Sequence, residues 1–207
     1  MKKLLFIILA TIIMLSSCVS LMKTSTDSLR DANMLDDAAY VETEYAKSSS
    51  FYINDEPYIA TIAILSSGII NSFYAKAISS FELGDVIGGM KQLQTGYDYH
   101  MSVYTNQWSS SIGNTYASDF STALAILKKE LKRKEVFNNI EKAFSLLTKI
   151  IKDKDKTKYQ KTLECYSLMA QYKDAVTDPS GSFMTYSSLK SNLNSEFSKL
   201  VSLAAIE

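Results

Sequence analysis

Apolar residues in this chain recur every three or four positions rather than in alternation. One run reads Tyr58, Ile62, Leu65, Ile69 and Phe73, and Ile59, Ile64 and Ile70 widen its stripe. Such spacing marks one face of a helix, and the breadth of this stripe predicts the most buried helix of the protein. A second run follows at Val86, Met90, Leu93, Tyr97, Tyr104 and Trp108, and a third at Tyr116, Phe120, Leu124, Leu127 and Leu131. A fourth reads Phe137, Ile140, Phe144, Leu147 and Ile151. It does not keep the phase of the third, so a kink or turn is expected near Lys132 to Glu135. Cys165, Met169, Tyr172 and Val176 line a fifth helix, and Tyr186, Leu189, Leu193, Phe197, Leu200 and Ala204 a sixth.

The breaks between runs carry their own chemistry. Asn54-Asp55-Glu56-Pro57 offers a capping side chain, first-turn acid and an early proline, which together start a helix. Leu83-Gly84-Asp85 reads as a turn, Asn114 or Thr115 as a cap, and Asp153 to Lys158 as a solvated connection. Asp178-Pro179-Ser180-Gly181 is a tight turn, because proline presets φ and glycine accepts positive φ. It closes an αα-hairpin. With period-2 alternation scarce, the expected fold is all-α: an irregular bundle of about six helices ending in that hairpin. The segment around Ala77, Leu83, Gly84 and Asp85 resembles in part a tetratricopeptide-type repeat. No second copy follows at the period of about 34 residues that such arrays keep.

The first residues follow a different logic. Lys2 and Lys3 precede twelve residues without charge, Leu4 to Leu15, and then Ser16-Ser17-Cys18. Twelve helical residues span about 18 Å, short of a hydrocarbon core of about 30 Å. A positive start, a short apolar run and small residues before a cut site form a secretory signal. Leu15-Ser16-Ser17-Cys18 resembles the bacterial lipobox, and the chain resembles a bacterial lipoprotein precursor. The resemblance implies cleavage before Cys18, a diacylglyceryl group on its sulfur and attachment to a membrane of the cell envelope. Two or three acyl chains, at about 0.8 kcal/mol per buried methylene, hold a protein lastingly where one does not. Val19 stands where enterobacterial lipoproteins retained in the inner membrane carry Asp, which favours the outer membrane in a two-membrane cell. The expected organisation is a signal peptide over 1–17, a lipidated Cys18 with a polar, partly helical tether over 18–50, and an all-α domain over 51–207.

The chain of 207 residues has equal numbers of basic and acidic side chains, 22 of each, but the balance is not uniform. Residues 19–127 hold 5 basic and 12 acidic side chains, and residues 128–161 hold 12 and 5. The basic stretch opens with Lys128, Lys129, Lys132, Arg133 and Lys134, a candidate interaction patch for anionic headgroups, acidic polymers or an acidic partner. Its alternative is a solvated helix end whose charge complements the dipole. Nucleic acid is not an expected partner of a secreted, lipid-tethered chain.

Enzymatic chemistry finds little footing. One His and two Cys leave no His-Glu-x-x-His, Cys-x-x-Cys or nucleophile elbow, so no catalytic residue, metal or cofactor is expected. Cys165 lies on an apolar stripe and reads as a buried, inert thiol. His100 sits among Tyr97, Tyr99 and Tyr104. Tyr97, Tyr104 and Trp108 share a face and read as core, whereas Tyr99 lies off it. Four of the seven glycines fall between Gly84 and Gly96, as close helix packing or as a hinge beside a pocket. Tyr99 and His100 are the candidate ligand contacts if a pocket exists there. The expected function is therefore a lipid-anchored, non-catalytic binding or accessory subunit of the envelope, serving a protein partner. A small-ligand-binding lipoprotein is the alternative, and an envelope hydrolase a more distant one.

Overall fold

The computed structural model describes residues 25–45, 56–113 and 117–207. These residues are helical, with no strand among them: α1 (Ser25–Asp31), α2 (Leu35–Tyr45), α3 (Glu56–Glu82), α4 (Val86–Gly113), α5 (Ala117–Arg133), α6 (Val136–Lys152), α7 (Gln160–Thr177) and α8 (Phe183–Ala204). The protein is an all-α multi-helix bundle.

The broad apolar stripe becomes α3, the axis of the bundle, packed on α1, α2, α4, α5 and α6. Ala60, Ala63, Ile64, Ile70 and Tyr74 are wholly buried there. Its 27 residues make it about 40 Å long, longer than its stripe of apolar residues suggests. Length and composition would let Tyr58–Glu82 cross a membrane, yet half of its most apolar stretch is buried inside the bundle. Against α3 lies the antiparallel α4, of 28 residues, so this hairpin far exceeds a tetratricopeptide unit of about 34 residues. Gly84 takes φ 81° in the turn between them, and the Asp85 carboxylate accepts from Gly88 N at 2.8 Å. A Cβ at Gly89 would stand 2.2 Å from the Phe81 ring, and one at Gly96 2.6 Å from the Tyr74 ring. Gly89 and Gly96 thus serve close helix approach, whereas Gly84 serves the turn and Gly88 faces the Asp85 carboxylate.

The kink expected between the third and fourth stripes falls at Lys134–Glu135, with Glu135 in the left-handed region at φ 61°. Asn71 of α3 pins it: its amide donates to Lys134 O at 2.8 Å and accepts from Asn139 at 3.0 Å. From there α6 runs antiparallel to α7, with Glu141 facing Lys173 and Thr148 facing Tyr166.

The closing hairpin forms as its turn residues require. Gly181 has φ 95°, and Ser182 and Thr185 make a reciprocal capping box. The Tyr186 hydroxyl donates to Ala175 O at 3.0 Å. Leu189, on the expected stripe, is 38% exposed; the buried face of α8 is Tyr186, Leu193, Phe197, Val201 and Ala204. Helix α7 has no side-chain cap from Tyr159. The Glu207 carboxylate supplies one, accepting from Lys161 N at 2.7 Å and Thr162 N at 2.9 Å.

Residues 25–45 are helical, as part of the tether over 18–50 was expected to be, but they pack on the bundle instead of standing off it. They form α1 and α2, and Leu29, Ala38, Val41 and Tyr45 belong to the hydrophobic core. Loose apolar spacing concealed this because two short helices share the burial between them. The caps expected at Asn54 and at Asn114 or Thr115, like the lipobox, lie outside the described residues.

Candidate functional site

The basic run and the acidic front of the chain meet face to face. Helix α2 lies along the C-terminal half of α5, and the seam between them is mostly polar. Glu130, with no exposed surface, accepts from Tyr40 at 3.0 Å, Tyr45 at 2.6 Å and Arg133 Nε at 2.7 Å. Asp37 accepts from Arg133 at 2.9 Å and from Lys134 Nζ at 2.7 Å. Lys129 Nζ donates to Glu44 at 2.6 Å and sits 5.1 Å over the Tyr45 ring. The Arg133 guanidinium lies 4.0 Å from the Tyr40 ring centre.

These contacts set the proton affinities of the seam. Burial alone would raise the Asp37 carboxyl, but hydrogen bonds and charge from Lys134 and Arg133 outweigh it and hold the carboxyl below the usual range. Burial first, and then the bond to Glu130, push the Tyr45 hydroxyl well above its ordinary value. Of the five residues of the candidate patch, Lys129, Arg133 and Lys134 are therefore engaged within the chain. Lys128 stands 3.6 Å from the exposed Asp178, and Lys132 is exposed on α5.

Beside this seam opens a cleft of about 540 Å³. Ala32 and Met34 of the α1–α2 turn form one wall, α3 from Ile64 to Ser72 the floor, and Arg133, Lys134 and Glu135 the opposite rim. A Cβ built on Gly68 would meet nothing within 4 Å, so the floor is open there. The two non-glycine residues with positive φ among those described, Asn33 and Glu135, lie in the two turns that frame the cleft. Clefts of about 300–1,000 Å³ suit small ligands, and this one combines apolar walls with a charged rim.

The other candidate contacts lie elsewhere. His100 has no exposed surface. Its Nε2 is 2.9 Å from the Tyr104 hydroxyl, which donates to Val176 O at 3.1 Å. With that hydroxyl proton committed, Nε2 carries the imidazole hydrogen and Nδ1 is left to accept, 3.5 Å from the Tyr74 hydroxyl. Burial pushes the imidazole down to about 3, so it is a neutral core group, not a surface or ligand contact. Tyr99 is half-buried against the core and hydrogen-bonded to Ser66. Neither residue lines the cleft. Burial pushes the Cys165 thiol up to about 11, as its place on an apolar stripe suggests. No cluster of three or more His, Cys, Asp or Glu side chains suited to a metal ion occurs among the described residues.

Sequence reasoning placed Arg133 and Lys134 among candidate contacts but missed Asp37, Tyr40 and Glu130. The one available signal was the opposite charge of two distant segments. Against known proteins, no family model, curated protein or solved structure matches the chain.

Proposed function

We propose that this chain is a lipid-anchored protein of the bacterial envelope that acts by binding, as a helical accessory subunit without chemistry of its own. The observation that carries the reading is the lipobox, Leu15-Ser16-Ser17-Cys18. The fold supports it by proximity. Ser25, where α1 begins, is seven positions after Cys18, a reach of at most about 25 Å. An acylated Cys18 would hold the bundle close to the headgroups, with the outer membrane favoured in a two-membrane cell. The cleft between the α1–α2 turn, α3 and the α5–α6 kink is the concave surface offered to a partner. Its volume also favours a second reading, a small-ligand-binding lipoprotein with its pocket at this cleft.

Replacing Cys18 by Ser tests the anchor. Cells fed labelled palmitate should acylate the wild-type chain and leave the variant unlabelled and uncleaved. A variant that is still processed and membrane-bound would sink the reading. For the cleft, a photocrosslinking residue at Gly68 should capture a partner in intact cells where one at the exposed Lys199 does not. Equal capture at both positions would count against the cleft.

A further inference from the structure

With the Lys128–Lys134 run largely consumed by α2, the basic surface lies one helix further on. Lys142, Lys149 and Lys152 are exposed on α6, and their spacing of seven and three places them on one face. Exposed Asn138 and Ser145 share that stripe. Lys154, Lys156 and Lys158 continue it into the α6–α7 connection, where Lys154 and Lys158 flank the Tyr159 ring at 4.4 and 5.4 Å. Among the described residues, none of these six lysines has a carboxylate within ion-pair distance, in contrast to Lys128, Lys129 and Lys134. The acids on or beside this face are Glu135, which accepts from Asn138, Glu141, which is paired with Lys173, and Asp153 and Asp155; Asp155 accepts from Thr157 N and Oγ1 at 2.9 and 2.7 Å.

We infer that the outer face of α6 and the connection after it form a contact surface for an anionic lipid bilayer. The inference rests on the lipid-anchored reading above, which places a membrane within reach. Two observations argue for a bilayer over a defined anionic ligand. The charges are all lysine, which gives point charge without the bidentate fork that recognises a single phosphate or carboxylate. Three of them lie along a helix of 17 residues, about 25 Å long, and three in the connection that follows, a spread that suits a plane more than a pocket.

The test is a lysine-acylation footprint of the full chain reconstituted into vesicles, read by mass spectrometry. Phosphatidylcholine vesicles are compared with a phosphatidylcholine–phosphatidylglycerol mixture. Each lysine near an anionic surface contributes enough to slow labelling about fivefold. Lys142, Lys149, Lys152 and Lys156 should therefore be protected about that much in the anionic vesicles, and high salt should abolish the effect. Exposed Lys91 and Lys199 should label equally in both. Changing Lys142, Lys149 and Lys152 together to Gln should weaken protection at Lys156. Equal labelling of the α6 lysines in both vesicles would overturn the inference. So would protection by a soluble acidic polysaccharide where vesicles give none. Lysine protection without palmitate incorporation would sink the anchor and leave the surface standing; the reverse result would do the opposite.

Discussion

Replacing His100 by Gln should remove a pH dependence of stability whose size follows from the imidazole's surroundings. Gln is of similar reach, keeps one donor and one acceptor for Tyr104 and Tyr74, and does not titrate. In the folded chain burial holds the imidazole at about 3, against an ordinary 6.5. Between those values the unfolded chain binds a proton that the folded chain refuses. Stability from this group is therefore complete above pH 6.5 and is lost as pH falls toward 3. At 1.36 kcal/mol per unit the whole window is worth about 5 kcal/mol, and the part between pH 7 and pH 5 about 2 kcal/mol. Urea unfolding followed by circular dichroism at both pH values measures it. Wild type should lose about 2 kcal/mol more than the variant over that interval; other carboxylates are common to both and cancel. His100 is the one histidine of the sequence, so its imidazole resonance is unambiguous by NMR. A folded-state titration near 6.5, or equal pH dependence in both proteins, would refute the reasoning.

Two further outcomes follow from packing. Glu130→Gln removes the charge that Arg133 meets and gives an NH2 group to a site that Tyr40 and Tyr45 use as acceptor. It should cost about 2–3 kcal/mol in urea unfolding, and a loss below about 0.5 kcal/mol, the usual span of a surface change, would deny the seam its role. Gly96→Ala would set a Cβ 2.6 Å from the buried Tyr74 ring and should lower stability by about 1–3 kcal/mol. At Gly88 the nearest atoms are those of the exposed Asp85 carboxylate, which can swing aside at the loss of its bond to Gly88 N, about 1 kcal/mol, so Gly88→Ala should cost less than Gly96→Ala; the opposite order of melting temperatures would refute the packing argument.

The features legible in the sequence were those whose cause is local. The Asp178–Gly181 turn, the break at Gly84 and the change of phase before Val136 each depend on residues a few positions apart. Features that depend on distant partners were not legible. His100 is buried because hydroxyls from Tyr74 and Tyr104 receive its two nitrogens, and no local pattern announces that. Leu29, Ala38 and Val41 recur too loosely to mark a buried face, so this segment reads as a partly helical tether and not as part of the core. Lys129, Arg133 and Lys134 read as free surface because Glu44 and Asp37 lie 85 to 97 residues upstream. The unequal charge of the two segments was visible; its use as an internal seam needed the fold.

That separation has a consequence for how the chain is made. Synthesis delivers α1 and α2 first, with Asp37 and Glu44 uncovered, and their partners arrive only when Lys129 and Lys134 have emerged. Contacts of such long range form late, because the intervening chain must be brought to order first. The arm nearest Cys18 can pack on α3 early, but its polar seam closes only when α5 has been made. Until α5 arrives, Asp37 and Glu44 stand as solvated charges without their basic partners, whereas Glu42 already has Arg30 within the arm.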